Sequence, residues 1–108
     1  MIVEQATINT ASGSAVLVPA VTGQYGYLLS CLIAFASSTT ANVKDGASTL
    51  TGDMTASQLI LDWRGLRERP IPWFNSSQAT ALNLILGGTI QCSGRVYYTH
   101  SISPDGPI

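Results

Sequence analysis

The chain has 108 residues, enough for one domain with a modest core. It is 45% hydrophobic but only 10% charged, against roughly 25% charged in an average domain. The net charge of −1 gives no field for nucleic acid and no polybasic membrane anchor. A surface this poor in ionised groups must be rich in Ser, Thr, Asn and Gly, or be apolar in part and covered by partners.

Residues 1–10, MIVEQATINT, read as a first strand or an extended N-terminal arm, with Ile2 and Val3 placed to reach a neighbour. The acid at Glu4 stands where a signal peptide carries basic residues, so no cleaved leader is expected. Thr10 to Ser14 is a turn by composition. Ala15 to Pro19 is a short strand closed by a residue that cannot donate to a ladder. After Thr22-Gly23-Gln24 comes the most apolar stretch, Tyr25 to Ala36, too short and interrupted to span a bilayer. As a strand it puts Tyr27, Leu29, Cys31, Ile33 and Phe35 on one face and Leu28, Ser30, Leu32, Ala34 and Ala36 on the other. A strand apolar on both faces is central and covered twice.

Ser37 to Thr40 is expected to turn the chain into a short strand, Ala41 to Lys44. Asp45-Gly46 is a strong hairpin dipeptide. Gln58 to Trp63 alternates as another strand. The one charged segment follows, Asp62 to Arg69, stiffened by Pro70 and Pro72. Trp73-Phe74 is expected to close one end of the core. Ala79 to Thr99 then reads as a hairpin about Gly87-Gly88, with Leu82, Leu84 and Leu86 on one face of its first strand and Ile90, Cys92, Val96 and Tyr98 on one face of its second. The tail, 102–108, is expected to be loose. About eight short strands with regular turn signals predict a single-domain, jelly-roll-like antiparallel β-sandwich.

The inventory points away from catalysis. His100 is the only imidazole, no Gly-x-Ser-x-Gly surrounds a serine, and phosphate-loop and zinc spacings are absent. Four of the six acids, Asp45, Asp53, Asp62 and Asp105, sit in or beside turns, where Asp bonds its own backbone. Cys31 and Cys92 read as buried free thiols in preference to a disulfide or a metal site. No catalytic, cofactor-binding or metal-ligating residue is therefore expected, and no cofactor. The candidate protein-interface residues are Trp63, Arg64, Arg67 and Arg69, together with Ile2 and Val3. Arg and Trp are the types enriched at interface hot spots.

An ordered set of short pieces resembles small bacteriophage virion proteins. These are Thr22-Gly23 before the apolar strand, Asn42-Val43-Lys44 with Leu50-Thr51-Gly52 and Met54, Trp73-Phe74, Ala81-Leu82-Asn83-Leu84, and Ser93-Gly94 before Val96-Tyr97. The resemblance spans Thr22 to Thr99 and departs from the family's pattern between Gln58 and Pro72. It implies a non-enzymatic structural protein of the virion, assembled in the host cytoplasm. The leading form is a head decoration (cement) protein, a homotrimer that bridges major capsid protein subunits. The alternative is a tail or fibre module that binds a receptor or glycan. No nucleic acid, membrane or small-molecule substrate is expected as a partner.

Overall fold

The structure is a computed structural model and describes residues 2–107. Among these there is no helix. Eight strands follow one another: β1 (Glu4–Thr10), β2 (Ser14–Val18), β3 (Tyr25–Asp45), β4 (Ser48–Thr49), β5 (Met54–Leu61), β6 (Phe74–Asn75), β7 (Leu82–Leu86) and β8 (Cys92–Ser101). All pairings are antiparallel and join one curled sheet, so the all-β, sandwich-like class expected from the sequence holds.

The organising element is β3, and the predicted hairpin is not there. β3 runs for 21 residues, where two short strands and a turn at Ser37 to Thr40 were expected. One of its edges pairs with β8 and then with β7; the other takes β6, β5 and β4 in succession. Strands β7 and β8 do not pair with each other. Ala41 opposes Leu86 and Phe35 opposes Cys92, so both strands advance by the same number of residues between these points. The chain therefore passes straight through Gly87-Gly88 alongside β3, without reversing. Neither glycine has the positive φ that a two-residue hairpin turn requires. Gly87 is small for another reason: a Cβ there would collide with the Thr40 hydroxyl, while its own N–H donates to Thr40 O at 2.9 Å.

A straight strand of β3's length would run about 69 Å at ~3.3 Å per residue. The molecule's longest dimension is 37 Å, so the β3 ribbon bends back over itself. The bend lies where β3 gains residues on β5, between Ala34 opposite Gln58 and Thr39 opposite Ala56. Both halves feed one core, with Ile33, Phe35, Cys92 and Val96 from one layer meeting Leu17, Val43, Leu82 and Leu84 from the other. Asp45-Gly46 turns as expected, with Gly46 at φ 60°. Strand β5 begins at Met54, earlier than the Gln58 start read from the sequence, and ends at Leu61.

A bulge at Leu29 resets the inside face of β3. Leu28 opposes Tyr98 and Ser30 opposes Tyr97, so Leu29 is the extra residue. Leu28 therefore points into the same core as Cys31, Ile33 and Phe35, which corrects the simple alternation. The N-terminus is a strand from Glu4 onward and not a free arm. Ile2 O is held by the Thr99 hydroxyl at 2.6 Å. The start of the tail is also tied, because the Tyr27 hydroxyl donates to Ser103 O at 2.6 Å.

Candidate protein-docking face

Four strands, β1, β8, β3 and β5, lie side by side with one face to the core and one outward. Register places Thr7, Arg95, Leu32 and Ile60 in a single row across them. Asn9, Ser93, Ala34 and Gln58 form the row on one side. Gln5, Tyr97 and Ser30 form the row on the other. Leu32 was expected to be covered; it is 58% exposed, and Ile60 opposite it is 48% exposed. Directly opposed side chains in a sheet touch across about 5 Å, so the two form one apolar ridge.

The charged segment forms a tight loop at the Tyr97 end of this face. Ile71 N donates to Arg64 O at 2.8 Å, and Leu66 and Arg69 exchange backbone bonds at 3.1 Å. Gly65 sits at φ 82°, with no room for a Cβ between Arg69 O and Ile71. These bonds project Leu66 and Arg67 outward. Arg64 turns the other way. Its guanidinium lies 3.9 Å above the Trp73 ring and Nη2 donates to Pro72 O at 2.7 Å. Trp73 Nε1 in turn donates to Asp62 O at 2.7 Å. Arg64 Nε is buried without a hydrogen-bond partner, so the stacking on Trp73 and the Pro72 bond hold this side chain.

The structure brings together three of the six expected interface residues. Val3, Trp63 and Arg67 line one open depression of about 490 Å³ with Ser30, Gly65 and Tyr97. A second hollow continues it over Leu32, Ile60, Arg95 and Asp62. Arg69 faces elsewhere, beside Glu68, Pro70 and Asp105. Ile2 is exposed at the entrance to β1. Sequence reasoning missed Leu32, Ile60, Arg95 and Tyr97 as site residues. The signal was present in the shared parity of Leu32 with Ser30 and Ala34, which left that face too polar for a second cover.

The chemistry of this face is that of contact. Among the described residues the only contact between a basic side chain and a carboxylate is His100 Nδ1 with Glu4 at 3.5 Å, on the β1–β8 rim. His100 Nε2 also lies 2.7 Å from Pro19 O. Among the described residues, Arg67, Arg95 and Asp62 carry charges with no ionic partner. No group of three or more His, Cys, Asp or Glu side chains is placed to hold a metal among the described residues, and no helix is long and apolar enough to cross a membrane. Burial pushes the Cys31 thiol up to about 11 and raises that of Cys92 as well. Both cysteines are free and buried, and both thiols stay neutral near pH 7. No family model, no curated protein and no solved structure matches this chain.

Proposed function

We propose that this chain is a non-enzymatic structural protein of a virus particle, a decoration protein that clamps neighbouring major capsid subunits. The observation that carries the docking part of this reading is the outward face of β1, β8, β3 and β5. It displays Leu32 and Ile60 beside the Val3, Trp63 and Tyr97 depression, with Arg67 at its edge. An apolar band rimmed by polar groups marks a site of protein contact. Arginine's planar fork suits carboxylates on the facing chain. The virion setting comes from the ordered pieces between Thr22 and Thr99 that resemble phage structural proteins.

The test is location. Antibody-gold labelling of purified particles from the source of the gene is expected to decorate heads. Labelling confined to tails would replace the clamp with a tail or fibre role. Particles free of the protein would remove the virion reading.

A further inference from the structure

We propose that the outward face centred on Leu32 and Ile60 is the contact between two copies of this chain, packed sheet against sheet about a two-fold axis. The proposal rests on the reading of this face as a protein-docking surface, gives its centre to a second copy, and leaves the Arg67 edge to the capsid.

The face is self-complementary in charge. Within the three rows of this face Arg95 is the only charged side chain, and it lies on β8, to one side of Leu32. Asp62 lies just beyond Ile60 and Leu61, on the β5 side, and lines the same hollow as Arg95. The two are separated by the width of β3, and neither has an ionic partner among the described residues. Arg95 makes one long hydrogen bond, to the uncharged Gln5 Oε1 at 3.3 Å.

A two-fold axis running parallel to the strands over Leu32 exchanges the β8 and β5 flanks. It places each copy's Arg95 over the other copy's β5, beside Ile60 and one row from Asp62, while the two Leu32 side chains meet at the centre. Isologous contacts have this reciprocity. The rest of the face is suited to close approach. Ala34, Ser30, Ser93 and Thr7 are short, and packed sheets lie about 10 Å apart with strands nearly aligned. A foreign partner would need its own matched acid and base. A second copy supplies both.

Analytical ultracentrifugation of the full chain from 1 µM to 1 mM, roughly the range of weak to moderate self-association, gives the first readout. A monomer–dimer equilibrium is expected. A monomer throughout, or a trimer, overturns the proposal. Charge exchange gives the second. Arg95→Asp and Asp62→Arg alone are each expected to weaken the dimer by about tenfold or more. The double variant, R95D with D62R, is expected to restore it. Both sites are exposed, so the variants test contact and not folding. A dimer indifferent to all three variants lies on another face and overturns the assignment.

Ile60→Lys is expected to abolish the dimer, with circular dichroism confirming the fold. The double charge exchange stands in its place if that variant does not fold. Particle labelling separates this inference from the functional reading. A dimer absent from virions sinks the virion role alone, whereas a monomeric protein present on heads sinks the two-fold contact alone.

Discussion

Gly94 on β8 lies against the backbone of Leu32 on β3, so close that a Cβ at position 94 would overlap the Leu32 carbonyl oxygen and sit 2.8 Å from Ile33 Cα. In the ladder Gly94 stands between Ile8 of β1 and Ile33 of β3. The obstacle is backbone, so no rotamer change relieves it. Gly94→Ala is expected to force β3 and β8 apart at the middle of the sheet, at about 3 kcal/mol, the upper range for overpacking. Gly23→Ala is the control. Gly23 has φ 77° with open space around it, and the left-handed conformation alone costs about 1–2 kcal/mol. Urea unfolding of the two variants gives the comparison; equal losses would refute the close-approach account.

The arginines of the loop separate into two jobs. Arg64→Ala removes the stacking on Trp73 and the bond to Pro72 O, and is expected to cost about 1–2 kcal/mol. Arg64→Lys is expected to recover little of this, because an ammonium neither stacks flat nor reaches with a second donor. Arg67→Ala is expected to leave the unfolding free energy within about 0.5 kcal/mol, as for other exposed sites, and, under the proposed decoration role, to weaken attachment to particles. Calorimetry and particle co-sedimentation on the same three proteins check both. A destabilised Arg67→Ala with normal attachment would reverse the assignment.

Much of the core was legible because its alternation is local. Leu82, Leu84, Cys92, Val96 and Tyr98 are buried as their spacing requires, and Asp45-Gly46 turns as its dipeptide requires. The straight passage at Gly87-Gly88 was not legible. Glycine permits both a hairpin and a close antiparallel course beside another backbone, and only the Thr40 contact, more than forty residues away in sequence, decides. The bulge at Leu29 was hidden for a related reason. Leu28 and Leu29 are both apolar, so the pattern reads the same with or without an extra residue. Of the site, the sequence pointed to Trp63, Arg67 and Val3 by residue type. It could not separate Arg64 from Arg67, because the path of the loop through Gly65 and Pro70 sets which one meets Trp73.

The two thiols lie too far apart to pair. Cys31 opposes Val96 and Cys92 opposes Phe35, four register steps apart, or about 13 Å at ~3.3 Å per residue. A disulfide needs Cα atoms within about 7 Å, so mild oxidants are expected to leave the folded chain without an internal bridge, read by mass spectrometry. The thiols also shape stability at high pH. In the unfolded chain Cys31 releases its proton near its ordinary value of 9.0, while in the fold desolvation holds the proton until about 11. Between these values the unfolded state binds fewer protons than the native one, so stability falls as pH rises. Below the lower value the thiol gives no pH dependence. Cys92, Tyr27 and Tyr98 are raised by burial too and act in the same direction. Cys31→Val keeps an apolar side chain of similar size and removes the largest of these contributions. Its thermal midpoint is therefore expected to fall less steeply than the parent's from about pH 9 to about pH 11. Identical slopes for the two proteins would show that Cys31 is not held protonated by the core.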